Sequence, residues 1–406
     1  MTPRLPTTGR RHAPQHRTVR VGRLHPVIRL LRLPLAIVLS FAPILSIRAQ
    51  EVDATGRLTG TVRSALNDVA VPYAVVTIPA LSIERFSDAS GQFGLARVPA
   101  GAHDVVIRRV GFVPSRRRVQ VQAGQATSLS VVMQPLPTGL TRVAVRAMAS
   151  CRNPGMPDPV LQAQVSQLVT LLRENADTYR LLVSQYPFSY VQIAAIGEVS
   201  DSAFLVQRVD TTVVAGLNPR RYREGNIVSS SISTRGTREY QMDIPTIVEL
   251  TDDAFIRSHC FGYGGMVQEG GETWYRINML AADRLRGPDA HGAFFLDSAT
   301  SQLRRMELDM SRVDRLPPML RGVAAIHAVT SFTELAPGVP VIASVCAITR
   351  LRPGRAQQRA SPAELQQLVG YRFTMPPPGI NARVIIAAPT WKPMDLLPQS
   401  TVWCDR

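Results

Sequence analysis

The chain has 406 residues, of which 45% are hydrophobic and four are Cys, and its formal net charge is +16. That length and composition fit two domains with sizeable cores and exclude a disordered chain or a small disulfide knot. Nine Arg and no acid fall in the first 50 residues, so more than half of the charge belongs to the N-terminus. The one dense basic run further on, Arg116-Arg117-Arg118, lies on a predicted strand without an aromatic neighbour. It reads as a solvated edge and does not supply the patterned surface that nucleic acid requires.

In chain order, a basic, Pro-rich stretch leads into the apolar run "LPLAIVLSFAPILSI" and then Arg48-Ala49-Gln50. The run is about 15 residues long, against the roughly 20 that span a bilayer. This is the pattern of a secretory signal peptide, residues 1–49, cut after Ala49; an uncleaved anchor is the alternative. Arg10-Arg11 stands too far from the apolar run for a twin-arginine signal, and no Cys follows for a lipid anchor. Export to the periplasm, the outer membrane or the exterior is expected. Export permits disulfides, and Cys151, Cys260, Cys346 and Cys404 then form two bridges in one of three connectivities. There is no CxxC and no Cys/His cluster, which argues against zinc.

Residues 50–135 carry short alternating runs at Leu58–Arg63, Tyr73–Ile78, Gln92–Ala96, His103–Arg108, Arg118–Gln122 and Thr127–Met133, separated by turn residues. Such spacing predicts a β-sandwich. Alternation places Val105 and Ile107 on one face. The matching pieces are Gly60-Thr61-Val62, Val71-Pro72-Tyr73-Ala74-Val75-Val76, Asp88-Ala89-Ser90-Gly91-Gln92-Phe93, Val98-Pro99-Ala100-Gly101-Ala102-His103 and Gly111-Phe112. Together they resemble the carboxypeptidase regulatory-like family. That resemblance implies a transthyretin-like, Greek-key sandwich with a carbohydrate-binding-like fold, an accessory module without catalytic residues. His103 stands where the family usually has Tyr.

Residues 136–157 are Pro-rich and read as a linker with one strand, Leu140–Arg146. Asp158-Pro159 suits a helix start. Val160, Leu161, Val165, Leu168, Val169, Leu172 and Leu181 form the apolar stripe of that helix, which Tyr186-Pro187 ends. Its polar face is Gln-rich, unlike a membrane-surface helix. Beyond it the pattern turns to β: Phe188–Glu198, Ser202–Val214, Glu272–Leu280, Gly292–Leu296, Gln302–Met310, Ala324–Glu334 and Pro340–Arg350. Turns at 297–300 and 336–338 make antiparallel hairpins. Residues 158–406 are thus predicted to be an α+β domain with one long helix and a curved antiparallel sheet, in a mainly β protein.

Cys151, His259-Cys260-Phe261 and the hairpin Leu296-Asp297-Ser298-Ala299-Thr300-Ser301-Gln302-Leu303 resemble a group of exported bacterial proteins, over roughly Cys151 to Tyr371. The resemblance implies that Cys151 pairs with Cys260, leaving Cys346 for Cys404. The helix-plus-sheet plan is also similar to periplasmic lipoprotein carriers, whose concave face holds acyl chains; that is a fold-level analogy.

The usual catalytic motifs (HExxH, GxSxG, a phosphate-binding loop) are absent, and Lys392 is the only Lys. Asp210-Thr211-Thr212 lacks the Gly of an aspartic-protease site. His259 and Cys260, as strand neighbours, point to opposite faces and do not share a proton. Asp252-Asp253 reads as a helix cap ahead of Ala254-Phe255, since a calcium loop needs more oxygens. "FGYGG" (Phe261 to Gly265) reads as a flexible loop. Trp274, Tyr275, Trp391 and Tyr263 are the aromatic ligand-contact candidates. No catalytic residue, cofactor or metal ligand is expected. The leading expectation is a non-catalytic envelope protein that binds a glycan, protein or lipid partner, with outer-membrane association. The alternatives are a lipid or lipoprotein carrier, and a hydrolase built from His259, Asp253 and Ser258.

Overall fold

The computed structural model describes residues 54–136, 148–200, 203–216, 222–232, 238–352, 361–386 and 391–398. The expected signal peptide, the linker strand Leu140–Arg146 and Cys404 lie outside the described residues.

Seven strands open the described chain: β1 (Thr55–Ser64), β2 (Val75–Ile78), β3 (Ile83–Phe86), β4 (Gln92–Pro99), β5 (Gly101–Arg108), β6 (Ser115–Val121) and β7 (Ala126–Met133). They form two sheets, ordered β4-β1-β7 and β3-β2-β5-β6. Only β1 and β7 pair in parallel. Alternating side chains fill the space between the sheets: Leu58, Val62, Val76, Val105, Ile107, Val121 and Met133 are buried. Each such side chain contributes about 1.5–3 kcal/mol. The turn into β4 follows from two residues. Asp88 Oδ1 accepts from the Ser90 and Gln92 amides at 2.8 Å. Gly91 has φ +74° and sits where a Cβ would come within 2.5 Å of the Val62 carbonyl. Arg116, Arg117 and Arg118 are exposed on β6, the edge strand.

The long helix α1 is Ala163–Gln185, and it begins four residues later than Asp158-Pro159 suggests. Asp158 Oδ1 accepts from the amides of Val160 (2.7 Å) and Leu161 (2.8 Å), closing a turn of its own. Val160 and Leu161 therefore stand out in solvent instead of joining the stripe. The rest of the stripe, Val165, Leu168, Val169, Leu172 and Leu181, is buried, and Pro187 stops the helix.

After α1 come β8 (Phe188–Val199), β9 (Ala203–Ala215), the hairpin β10 (Val228–Ile232) and β11 (Arg238–Met242), and the short helix α2 (Asp253–Ile256). A meander follows: β12 (His259–Glu269), β13 (Glu272–Ala281), β14 (Ala290–Asp297), β15 (Leu303–Met310), β16 (Val323–Ala336), β17 (Val339–Leu351) and β18 (Ser361–Phe373). Then come β19 (Arg383–Ile385) and β20 (Leu396–Pro398). The sheet runs β12-β13-β14-β15-β16-β17-β18-β8-β9-β20, with β19 beside β18, all antiparallel. α1 lies on its inner face over Ile277, Phe294, Leu308, Phe332, Leu368 and Tyr371.

"FGYGG" is part of β12, not a loop. A Gly264 Cβ would lie 2.8–2.9 Å from the side chains of Arg276 and Asn278. The glycine there makes room for the neighbouring strand, and the register shifts between Tyr263 and Gly265.

The sandwich caps one rim of the sheet, so the two cores meet. Tyr73, Val75 and Phe86 belong to the core around α1. Arg109 donates to the carbonyls of Pro72 and Pro337, both at 2.9 Å. Burial holds its guanidinium down to about 10, with Glu334 opposing. Arg108 pairs with Asp177 of α1, and Arg180 with Glu84 of β3.

Glu174 sits beside this ion cluster. Burial raises its carboxyl to about 7, against the pull of Arg108 and with help from Asp177. Its Oε2 is buried without a hydrogen bond among the described residues. A carboxyl raised on folding adds stability below its unfolded pKa, and that stability is lost as pH climbs through the folded value. Glu174→Gln is therefore expected to gain up to about 3 kcal/mol over the wild type at pH 8 and little at pH 4.5, read by urea unfolding. An equal effect at both pH values would rule out the buried carboxylate as its cause.

Candidate functional site

The hydrolase candidates do not converge. His259 and Ser258 are completely buried where β12 begins. His259 Nδ1 is 2.8 Å from the Phe255 carbonyl; Nε2 is 3.2 Å from the Ala290 carbonyl and 3.4 Å from Asp289 Oδ1. Both ring nitrogens thus face oxygen acceptors, and the ring lies tilted against Phe255 with centroids 4.2 Å apart. Ser258 Oγ donates to the Ala254 carbonyl (2.8 Å). Asp253 points away to Arg173 of α1 (3.0 Å). Asp252 caps α2 by accepting from the Ala254 amide.

The acid that does meet His259 is Asp289, which belongs to no motif and is 30 residues away in the chain. It is fully buried and accepts from the Tyr222 hydroxyl (2.6 Å) and from the amides of Gly225 and Ala290 (both 2.7 Å). Burial pushes its carboxyl up, but the bonds from His259, Tyr222 and Gly225 outweigh that and hold it below the usual range. Burial, and after it the bond to Asp289, drives the Tyr222 hydroxyl far up. This closed network joins β12, β14 and the loop before β10.

Cys151 and Cys260 are disulfide-bonded, with Cα atoms 5.5 Å apart. Around the bridge the Cys151 amide donates to Asp283 Oδ1, the Asp283 amide to the Cys151 carbonyl, and the Gly155 amide to the His259 carbonyl. Residues 148–157 are therefore fastened to the sheet and do not hang as a free linker. Cys346 is buried and also disulfide-bonded.

The aromatic candidates are scattered. Trp274 and Tyr275 are both buried, on opposite faces of β13. Trp274 donates to Glu272 and lies under the Arg305 guanidinium at 5.3 Å. Tyr263 packs beside the core around α1. Trp391 packs on the outer face with Phe204, Cys346 and Leu365. Trp274 and Tyr275 are core side chains, whereas Tyr263 and Trp391 are half-buried.

Strand register builds a different site. On the helix side, Thr330, Val345, Gln366, Ala194 and Asp210 stand in one row across β16, β17, β18, β8 and β9. Ala328, Ala347, Glu364, Ile196 and Arg208 form the next row. The core under α1 takes up Val339 and Val341, at the far end of β17, whereas Val345, Ala347, Ile196, Gln366 and Glu364 are only half-buried. The result is a shelf of small and aliphatic side chains with a polar margin. Gln366 donates to Glu364 at 2.8 Å, and Arg208 pairs with Asp210 at 2.8 Å. Such a surface can hold a molecule with an apolar body and a polar end. It was missed because its members come from five strands and form no motif. Among the described residues, no cluster of three or more His, Cys, Asp or Glu is placed to hold a metal, and no helix is long and apolar enough to cross a membrane.

Residues 57–134 match the family model of the carboxypeptidase regulatory-like domain. This segment is such a domain, as its sandwich and motifs indicated. No curated protein matches the chain significantly. Among solved structures, the chain is similar to a type II cohesin–X-dockerin complex from Acetivibrio cellulolyticus, at 17% identity over 19% of this chain and 56% of that one (TM-score 0.17). It thus spans about half the length of that structure. It is also similar to a domain described as an outer membrane lipoprotein-sorting protein from Vibrio parahaemolyticus, at 8% identity over 52% and 93% (TM-score 0.31). A third is a LolA superfamily protein from Nitrosomonas europaea, at 7% identity over 54% and 94% (TM-score 0.26). None reaches a TM-score of 0.5, and none carries a functional assignment to this chain.

Proposed function

We propose that the protein is a non-catalytic binding protein of the exported cell envelope that holds an amphipathic ligand on the inner-face shelf. The observation that carries this reading is the half-buried strip Val345, Ala347 and Ile196 beside the polar pair Glu364 and Gln366. Elsewhere on the inner face the helix covers the apolar side chains; here they are left partly open. The buried His259–Asp289 network supports the same reading, because its donors and acceptors already face one another. Within this reading, the apolar strip favours an acyl chain over a glycan, as in a lipid carrier.

The test is a binding panel of a dansylated fatty acid, soluble glycans and peptidoglycan fragments, run on the wild type and on Ala347→Trp. The indole fills the shelf, so binding of the fatty acid is expected to be lost while the fold, read by circular dichroism, persists. Fatty-acid binding that survives Ala347→Trp would place the ligand elsewhere. Hydrolysis of a panel compound that disappears in His259→Ala would overturn the non-catalytic reading.

A further inference from the structure

The inner-face strip does not end at Ala194. Alternation along β8 carries it back through Gln192 to Tyr190, which pairs with Tyr371 of β18 and Val214 of β9. From Ile196 to Tyr190 the strand covers about 20 Å. At the Tyr190 end the strip reaches the core under α1, to which Leu368 and Tyr371 belong and against which Tyr190 packs.

Three tyrosines meet there. The Tyr190 and Tyr371 rings lie 6.1 Å apart. Tyr179 comes from α1, close enough that a charge on Tyr190 would act on its hydroxyl, and both would act on Tyr371. The Tyr371 hydroxyl already donates to the Ile342 carbonyl at 2.5 Å. Among the described residues, Tyr179 and Tyr190 have no hydrogen-bond partner. Tyr179 is only 7% exposed, and a buried hydroxyl left without a partner destabilises the fold. Burial raises both hydroxyls above the ordinary range, so they stay protonated and can donate. The charge nearest Tyr179 is an acid. Glu249, on the 3₁₀ turn Ile247–Thr251, accepts from the amide and hydroxyl of Thr246, both at 2.6 Å. Along the strip stand Glu364 and Asp210, and Arg208 is paired with Asp210.

We propose that the Tyr179 and Tyr190 hydroxyls hold the uncharged carbonyl oxygen of an acyl ester or amide whose chain lies along the strip. This rests on the shelf reading and narrows its ligand to neutral acyl compounds. A free carboxylate would be buried beside Glu249 without a cation to meet it, which is unfavourable. An ester carbonyl takes the same two donors and brings no charge with it. Seated in this way, the ligand has its polar end at the tyrosines, and Glu364 and Gln366 flank its chain.

The exported chain, purified as the cell processes it, is titrated at about pH 8, where a fatty acid is ionised, with a dansylated fatty acid and with its methyl ester. The wild type is expected to bind the ester about tenfold or more tighter than the acid. Tyr179→Phe with Tyr190→Phe is expected to weaken ester binding about tenfold and acid binding little, so that the preference shrinks. Tyr179→Phe alone is expected to unfold at the same or a higher urea midpoint, since it removes a buried donor that bonds nothing in the fold. Equal affinity for the two probes, unchanged ester binding in the double variant, or a lowered midpoint for Tyr179→Phe would each overturn the proposal. Ala347→Trp keeps the two readings apart. If it abolishes ester binding and the double tyrosine variant does not weaken it, the shelf stands and the tyrosine assignment falls. If ester binding survives Ala347→Trp, the shelf reading falls and takes this one with it.

Discussion

Cys151→Ser combined with Cys260→Ser is expected to lower the stability of the chain by about 4 kcal/mol, read as a lower urea midpoint. The bridge spans a sequence separation of 109 residues, so its loss returns a large loop to the unfolded ensemble. The folded state loses as well. Cys151 is buried against Ala281, Ala282 and Leu285, and the bridge holds the segment whose amides at Cys151 and Gly155 bond to Asp283 and His259. Limited proteolysis should cut near residues 152–162 in the double variant before it cuts the sheet. An unchanged midpoint would mean that the hydrogen bonds alone hold this segment.

His259→Ala is expected to cost about 3–5 kcal/mol, because it strips a buried carboxylate of a partner. Asp289 also loses one of the bonds that hold its carboxyl below the usual range. A depressed carboxyl contributes stability above its unfolded pKa of about 4, and that contribution is lost as pH falls through the lower folded value. Removing the imidazole should therefore move acid unfolding to higher pH. Asp289→Asn should weaken the acid dependence itself. Circular dichroism followed through an acid titration of the three proteins reads both effects. Coincident acid transitions would show that the His259–Asp289 contact does not govern them.

Much of the fold was legible because its cause is local. The Asp88–Gly91 turn, the paired burial of Val105 and Ile107, the stripe from Val165 to Leu181 and the hairpin turn at Asp297 each follow from a few neighbouring residues. Where reading failed, a distant partner decided. Asp158-Pro159 satisfied its own turn and delayed α1. Gly262, Gly264 and Gly265 looked like loop residues, yet Gly264 lies in a strand because Arg276 and Asn278 occupy the space beside it. β18 escaped notice because its half-open face carries Glu364 and Gln366 where a covered strand would alternate apolar residues.

The sequence by itself determined a mainly β chain and a regulatory-like sandwich, because periodicity, turn chemistry and motif all act over short stretches; it left three disulfide connectivities open, and the structure decided for Cys151 with Cys260. Only the tertiary structure decided that Asp289 partners His259, that Arg109 and Phe86 weld the sandwich to the sheet, and that Val345, Ala347 and Ile196 share a shelf. Those relations depend on the register of strands far apart in the chain, and long-range register leaves no periodic trace in any one of them.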